Sequence, residues 1–265
     1  FDDPNEDISK YRRYDSRVNL ILNNDIWKDS LKECSQYSKF KDTYKDEVMS
    51  RQILNAEMAL KLAKQDNVKW LIHIDTDEIL HSQNYNSISE VFSKINYAVN
   101  VVKIQNYELA PLEENVDNCF RSHSYFKTKN AGTMYNAYFN GKGGCKVIDK
   151  VYPNGVHDFK LNMNEVKDTI SENDLVILHY VNCSYNEWVN KYKLLGKFSD
   201  KWWNKKMIPL KFHKISRDAI TNNNIKFWEN TCKQIYNNNV VINRDVIDGL
   251  INDNKITKVN DILNS

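Results

Sequence analysis

One acidic stretch directly follows a short apolar run, and it is the part of the sequence best suited to chemistry. Residues 70–80 read Trp-Leu-Ile-His-Ile-Asp-Thr-Asp-Glu-Ile-Leu, which places Asp75, Asp77 and Glu78 at the end of the run. Such a run is typical of a buried parallel strand, and ligands of open α/β sheets bind at the carboxyl ends of these strands. Three crowded carboxylates there favour Mg²⁺ or Mn²⁺ together with a phosphate-bearing ligand. The alternative is a solvated acidic turn without a function.

Two histidines also end apolar stretches. His157 follows Gly155-Val156, and His179 follows the apolar run 175–178, which is a second candidate for a buried strand. A capping box at Ser184 and Glu187 predicts that a helix begins soon after His179. A lone histidine at a strand end is more often structural. The alternative is that His179 completes the metal shell begun by the two aspartates, and both roles stay open.

A long helix over about 42–65 leads into the acidic stretch. Thr43 and Asp46 have capping-box spacing at its start. Apolar residues recur on one stripe and predict a core-facing side, namely Met49, Ile53, Ala56, Leu60 and Ala63. Arg51 lies off this stripe. It either offers its guanidinium to a phosphate or a base, or it lies on a solvated helix face.

Three further segments carry candidate site residues. Glu108 follows a strand candidate at 99–105 and is expected at the sheet edge near the ligand. Residues 140–146 combine three glycines with two lysines, so that Lys142 either meets a phosphate or belongs to an ordinary hairpin turn, which is the favoured interpretation. The acidic opening 1–7, with Asp3, is either a nucleotide-contacting loop or a polar terminus.

Composition limits the class of protein more than the function. The chain has 265 residues, of which 41% are hydrophobic and 27% charged, and its net charge of +2 gives no reason to expect nucleic acid or an anionic membrane as partner. We find neither a transmembrane run nor a signal-peptide pattern. The five cysteines are scattered without a Cys-x-x-Cys spacing, which predicts neither a disulfide framework nor a zinc site. A reducing compartment, the cytoplasm, is the expectation, with a Golgi or ER lumenal domain as the alternative.

The remaining elements are predicted from periodicity and capping. Strands are expected at 17–22, 99–105 and 120–126, and helices at 25–37, 87–95 and 187–198. From 213 onward the sequence is polar and rich in asparagine, with helical patches at 225–236 and 246–251. These patterns predict a main α/β domain over 1–212 and a helical extension over 213–265.

The acidic stretch resembles the Asp-x-Asp-Glu motif of family-2-like glycosyltransferases with the GT-A fold, in particular the group related to family 92. Three other stretches are similar in order and rough spacing: Phe1-Asp2-Asp3-Pro4-Asn5-Glu6-Asp7, Asn140-Gly141-Lys142 with a later Gly-x-His, and Leu178-His179-Tyr180. The resemblance spans residues 1 to about 203. Only the Asp-x-Asp-Glu element is specific by itself.

The resemblance implies an α/β fold of the Rossmann-like GT-A type, with a mixed, mainly parallel central sheet flanked by helices. It also implies transfer of a sugar from a nucleotide-sugar donor, usually a UDP-sugar, to a hydroxyl acceptor with Mn²⁺ or Mg²⁺. Matching positions give the expected roles. Asp3 contacts the nucleobase; Arg51, Lys142 and His157 lie near the nucleotide; Asp75 serves ribose and metal; Asp77 and His179 bind the metal. Glu108 and Asp158 are the candidates for the base that takes the acceptor proton.

One departure and two rivals accompany the resemblance. Members of this fold begin with a hydrophobic strand before the Asp-Asp loop, whereas this sequence begins at that loop. A haloacid-dehalogenase-type phosphatase also has Asp-x-Asp after a strand, but Ile79 stands where that family usually has threonine or valine. A non-catalytic nucleotide- or sugar-binding protein of the same fold is the other alternative.

Overall fold

The computed structural model describes residue 7 and residues 18–45, 47–196, 211–221, 228–260 and 262. Within these residues the helices are α1 (Asp25–Ser30), α2 (Tyr37–Phe40), α3 (Val48–Gln65), α4 (Ile88–Ser93), α5 (Cys119–Ser122), α6 (Tyr185–Leu195), α7 (Lys211–Thr221), α8 (Trp228–Asn239) and α9 (Ile247–Asn252). The strands are β1 (Trp70–Ile72), β2 (Glu78–His81), β3 (Val101–Ile104), β4 (Asn106–Leu109), β5 (Tyr125–Lys127), β6 (Lys142–Lys146), β7 (Val151–Pro153), β8 (Phe159–Leu161), β9 (Lys167–Thr169), β10 (Val176–His179) and β11 (Ile256–Lys258).

Two sheets share the main strands of the described chain. One has the order β1-β6-β3-β9, the other the order β11-β5-β4-β10-β2, and β7 pairs with β8. The chain passes from the first sheet to the second at three places: through residues 73–77 between β1 and β2, through Gln105 between β3 and β4, and through residues 170–175 between β9 and β10. The acidic residues of the 70–80 stretch therefore lie where the chain changes sheets.

The predicted α/β class is confirmed, but the prediction of a mainly parallel central sheet is wrong. Of the described strand pairs, β3–β9 and β4–β10 are parallel and the others are antiparallel. β1, which was expected to be a buried parallel strand, is half-buried and pairs antiparallel with β6 at a sheet edge. A short apolar run indicates a strand, but it does not encode the direction of the neighbouring strand, which comes from distant residues.

Apolar side chains pack on both sides of the strand layer. Val102, Ile104 and Ile177 form a buried cluster with Val91 of α4, while Leu60 of α3 packs with Val101 and Cys145. Fully burying a side chain of this size stabilises the fold by about 1.5–3 kcal/mol. The contacts of Leu60 hold α3, which precedes the acidic stretch, against β3 and β6.

Residues after 210 are built into the same structure. Trp188 and Tyr192 of α6 pack with Phe212 of α7 and Tyr236 of α8 in a buried aromatic cluster. β11 extends the five-stranded sheet by pairing antiparallel with β5. The division into 1–212 and 213–265 stays a prediction, while the helices α7 to α9 correspond to the helical character expected there.

The element predictions succeed where periodicity and caps agree. The helix expected to end at Gln65 does so, but it begins at Val48 without a side-chain cap, because Thr43 hydrogen-bonds to Phe40 and Ser50 instead. The Ser184 cap is confirmed, and the helix expected over 87–95 forms as α4 with Ser87 as its cap. The strand predicted over 120–126 is wrong in its first half, which forms α5, and residues 18–22 are not a strand. Asp3 and Asp46 lie outside the described residues.

One disulfide was not expected from the cysteine spacing. Cys119 of α5 is bonded to Cys183, which follows β10, across 64 positions of sequence. Spacing alone cannot reveal such a pair, because the fold brings the two residues together. No helix in the described part of the chain is long and apolar enough to cross a membrane.

Candidate active site

Asp75 is fixed by side chains from two other elements. The amide of Gln52, on α3, donates to Asp75 Oδ1 at 2.8 Å. Lys142 Nζ, at the start of β6, donates to Asp75 Oδ2 at 2.7 Å, and the Lys142 side chain is only 1% exposed. A buried ammonium needs a charged partner of this kind, since burying an unpaired charge is very unfavourable. Asp75 is thereby held in a defined orientation.

The backbone before Lys142 requires glycine. Gly141 has φ +63°, and a Cβ at this position would lie 2.1 Å from the carbonyl oxygen of Ile104. Its amide donates to Asn106 Oδ1 at 2.9 Å, which ties the start of β6 to the start of β4. The glycine-containing segment is thus a strand entry that directs Lys142 to the acidic loop, and the favoured hairpin-turn interpretation is wrong.

Asp77 lies between two positively charged or chargeable groups. Its Oδ2 is 3.5 Å from His179 Nε2 and 3.7 Å from Lys191 Nζ, and its backbone carbonyl accepts from the Tyr180 amide at 2.8 Å. Burial alone would raise the pKa of the Asp77 carboxyl, but the interactions with His179 and Lys191 outweigh it and hold this pKa well below its usual range. Asp77 is therefore a carboxylate at neutral pH, and 37% of its side chain is exposed.

Glu78 is the buried member of the acidic motif. Its Oε2 accepts from the backbone amide of Asp75 at 2.6 Å and lies 3.8 Å from Lys142 Nζ. Its Oε1 has no hydrogen-bond partner among the described residues. Burial raises the pKa of the Glu78 carboxyl, and the charge of Lys142 opposes that rise.

An aromatic ring joins the two histidines. The ring of Tyr138 lies 4.2 Å from the His157 ring and 4.9 Å from the His179 ring, measured between centroids, and Lys142 Nζ is 5.2 Å from its centroid. His157 Nδ1 is 3.2 Å from the carbonyl of Gly141. Burial, assisted by the charge of Lys142, lowers the pKa of His157 to about 4. His157 is consequently neutral near pH 7, and the fold brings it together with Asp75, Asp77, Lys142 and His179.

The two residues expected to act as the base are bound in other ways. Glu108 is 1% exposed and forms a 2.7 Å ion pair with Lys127, and both of its oxygens accept from backbone amides of residues 136 and 137. Asp158 Oδ2 is ion-paired with Lys167, and its Oδ1 accepts from the Phe159 amide. Nothing in their surroundings supports a role in proton transfer.

Arg51 lies apart from the acidic loop. Its guanidinium donates to the carbonyls of Tyr44 and Lys45, at 3.1 and 3.2 Å, and lines a cavity of about 510 Å³ together with Tyr37. The neighbouring Gln52 is the α3 residue that reaches Asp75. The prediction that the polar face of α3 borders the site is confirmed, but the residue that reaches the acidic loop is Gln52 and not Arg51.

Sequence reasoning missed four residues of this region: Gln52, Tyr138, Lys191 and His213. Lys191 lies on α6 beside the buried Tyr192, and the Tyr192 hydroxyl is hydrogen-bonded to His213 Nδ1 of α7. Burial, with the charge of Lys191, lowers the pKa of His213 to about 4. For Lys191 the sequence contained a signal, because the helix predicted after His179 begins near the end of β10 and its polar residues could therefore lie near the site.

A divalent cation fits part of this arrangement. Asp77 Oδ2 and His179 Nε2 are oxygen and imidazole ligands of the types that Mn²⁺ accepts. Over the described ranges, no group of three His, Cys, Asp or Glu side chains could hold a metal ion. Mg²⁺ and similar ions are often bound by one or two protein groups, with water and substrate phosphates completing the shell. Glu78 Oε1 and His179 Nδ1 are buried and have no hydrogen-bond partner among the described residues, and they add to the polar character of the site.

Comparison with known proteins finds distant relatives of this chain. No family model matches the chain. Two Arabidopsis thaliana proteins described as glycosyltransferase-like are similar to it, at 27% identity over 173 residues and 25% over 171 residues, each covering 57% of the chain. The matched segment spans 33% and 38% of those relatives. The chain is therefore distantly related to glycosyltransferase-like proteins.

Proposed function

We propose that this protein is a metal-dependent glycosyltransferase that moves a sugar from a nucleotide-sugar donor, a UDP-sugar, to a hydroxyl acceptor. The observation that carries the proposal is the placement of His179 and Lys191 around the exposed carboxylate of Asp77, where the chain changes sheets. Lys142 forms an ion pair with Asp75, two residues before Asp77. The relationship to glycosyltransferase-like proteins supports the reaction class.

The reaction requires positive charge where the diphosphate leaves. The bond between the sugar carbon and the diphosphate breaks, the acceptor oxygen bonds to the same carbon, and the acceptor proton passes to a base. Lys191 and Lys142 place ammonium groups at the acidic loop and would stabilise the charge that forms on the diphosphate. A divalent cation held by Asp77 and His179 would supply further charge stabilisation of the same kind.

The nucleotide end of the donor is assigned to the other predicted residues. We place the ribose at Asp75, which Gln52 and Lys142 orient, with His157 beside Lys142. Asp3 and Arg51 remain the proposed contacts to the nucleobase and the nucleotide. In the described region the cavity at Arg51 is rich in lysine, which suits an anionic ligand.

A thermal-shift screen tests the proposal. UDP, several UDP-sugars and non-UDP nucleotides are added with and without Mn²⁺, because a ligand that binds only the folded state raises its stability. We expect UDP and UDP-sugars to raise the melting temperature when Mn²⁺ is present. We also expect the protein to hydrolyse a UDP-sugar donor slowly when water takes the place of the acceptor. No shift with any nucleotide, with or without metal, would contradict the proposal.

Two observations favour a second candidate. Asp75 is already neutralised by Lys142, and the described residues contain no group of three metal-binding side chains. A nucleotide- or sugar-binding protein without turnover could use these lysines alone for the phosphates. Equal UDP binding with Mn²⁺ and with a chelator, together with an absence of donor turnover, would favour this candidate.

A further inference from the structure

Lys191 of α6 is held at the acidic loop much less firmly than Lys142. Lys142 Nζ lies 2.7 Å from Asp75 Oδ2, and its side chain is 1% exposed. Lys191 Nζ lies 3.7 Å from Asp77 Oδ2, which is beyond hydrogen-bond distance, and its side chain is 31% exposed. A long ion pair between two partly exposed groups contributes little stability. Lys191 can therefore leave Asp77 without much loss.

Only the end of the Lys191 side chain can move, because α6 itself is fixed. Trp188 and Tyr192 of this helix are fully buried, in the aromatic cluster that they share with Phe212 and Tyr236. The four-carbon stem of a lysine is flexible and carries a compact ammonium group. Lys191 is thus a movable positive charge on a fixed helix.

Asp77 is the acid that Lys191 contacts, and the neighbouring buried acids are engaged elsewhere. The pair with Asp77 is the only ion pair of Lys191 among the described residues. In the five-stranded sheet Glu78 lies opposite His179, and Glu108 lies beside it. Both glutamates are at most 5% exposed and already hydrogen-bonded. An ammonium that leaves Asp77 therefore loses its described acidic partner, unless a ligand supplies another anion.

A cation at Asp77 has to compete with Lys191. Asp77 Oδ2 faces both Lys191 Nζ and His179 Nε2, which is 3.5 Å away, and it is the oxygen that the proposed metal site uses. Two positive charges beside one carboxylate oxygen repel each other, so each weakens the binding of the other. A metal ion that binds alone leaves the ammonium without an anion, whereas a metal ion that arrives with a diphosphate brings an anion with it.

We propose that Lys191 and a divalent cation exchange on Asp77. In the ligand-free protein Lys191 pairs with the Asp77 carboxylate. When the cation binds together with the diphosphate, the ammonium moves from Asp77 to the diphosphate. Lys191 thereby disfavours the binding of free cation and couples the binding of metal to that of the nucleotide. The part played by the diphosphate rests on the proposed function, but the competition between Lys191 and a cation for Asp77 does not.

Lys191→Met tests the exchange, because it removes the charge and keeps a side chain of similar length. Binding of Mn²⁺ alone is measured by electron paramagnetic resonance of the free ion, and UDP binding in saturating Mn²⁺ by isothermal titration. We expect Lys191→Met to bind Mn²⁺ alone at least about 10-fold more tightly than the wild type, because the competing charge is gone. UDP in saturating Mn²⁺ should bind about 10-fold more weakly, because a charge-assisted contact to the diphosphate is lost.

Lys193→Met is the matched control, since it removes an exposed lysine from the same helix. Both of its affinities should stay within about twofold of the wild type, because solvent and salt screen an exposed charge away from the site. An unchanged Mn²⁺ affinity in Lys191→Met would overturn the proposal, even if UDP binding became weaker. Tighter Mn²⁺ binding with undiminished UDP binding would also overturn it, because the ammonium would not reach the diphosphate.

Two outcomes separate this proposal from the proposed function. If the wild type binds no UDP but Lys191→Met gains Mn²⁺ affinity, the proposed function fails and the competition at Asp77 stands. If the wild type binds UDP with Mn²⁺ as expected and Lys191→Met changes neither affinity, the exchange is wrong and the proposed function stands.

Asp77→Asn makes the opposite change. Without the Asp77 charge, Lys191 is available to the diphosphate even when no metal is present. UDP in chelator should therefore bind about 10-fold more tightly to Asp77→Asn than to the wild type. Adding Lys191→Met to Asp77→Asn should remove this gain. A gain that survives in the double variant would come from the loss of the repelling carboxylate alone and would contradict the exchange.

Discussion

Glu78 and Glu108 are two buried carboxylates placed symmetrically beside His179, and they do opposite things. Glu108 is fully paired with Lys127 and two backbone amides. Glu78 holds the Asp75 amide with one oxygen and keeps the other without a partner in the described part of the chain. Burial is therefore not what distinguishes these two acids. The two acids differ because Glu78 Oε1 has no hydrogen-bond partner in the described part of the chain, whereas both oxygens of Glu108 have one.

The difference arises from what each strand pairs with. β4 lies between β10 and β5, so Glu108 meets Lys127 in register and the loop before Ala137 reaches its oxygens. β2 is an edge strand of this sheet as described, and Glu78 is the first residue after the acidic loop. An acid at the loop end of an edge strand has fewer protein donors around it.

The largest effect is expected from Glu108→Ala. The change leaves the ammonium of Lys127 buried without its carboxylate, which is expected to lower the free energy of unfolding by about 3–5 kcal/mol. Denaturant unfolding measures it, with Glu78→Ala as the matched comparison. Glu78→Ala is expected to cost about 1–3 kcal/mol, because Lys142 keeps Asp75. Equal losses in the two variants would remove the distinction between the two acids.

The next prediction concerns the disulfide between Cys119 of α5 and Cys183, which follows β10. Cys119→Ser with Cys183→Ser should lower the free energy of unfolding by about 2–4 kcal/mol, because the bond closes a long loop in the unfolded chain. Adding reductant to the wild type should reproduce the loss and leave the double variant unchanged. A reductant effect of equal size in both would assign it to another cause.

A smaller effect on the free energy of unfolding is expected at acidic pH, through the protonation of His157. The folded state holds the pKa of His157 at about 4, below the usual value of the unfolded chain, so the unfolded state binds the proton first as the pH falls. The free energy of unfolding should therefore decrease between about pH 6.5 and pH 4, by about 1 kcal/mol per pH unit for this group. His157→Gln should reduce the slope by that amount in denaturant titrations at pH 7 and pH 5. An unchanged slope would show that His157 is not the group responsible.

The sequence carried the local part of this picture. The apolar run before Asp75, the Ser184 cap and the buried strand that ends at His179 are encoded in neighbouring residues, and the structure contains all three. The acids and His179 could be named because residue type and position at a strand end suffice for such a prediction.

The rest depends on distant pairs that no local pattern records. Nothing near Glu108 in sequence indicates Lys127 as its partner, and nothing near Asp77 indicates Lys191. The antiparallel pairing of β1 with β6 is set by the backbone of a glycine-containing segment more than 70 residues later. Roles that depend on a side chain having unused donors or acceptors are therefore the least predictable from sequence.

The central claim is that the Asp77 carboxylate binds a cation shared with a diphosphate. Isothermal titration of UDP with and without Mn²⁺, in the wild type and in Asp77→Asn, tests it most directly. We predict that Mn²⁺ strengthens UDP binding to the wild type at least about 100-fold, a difference of about 2.7 kcal/mol, and that Asp77→Asn abolishes this gain while the protein keeps its melting temperature within a few degrees. Equal UDP affinity with and without Mn²⁺ in the wild type, or an undiminished Mn²⁺ effect in Asp77→Asn, would contradict the claim.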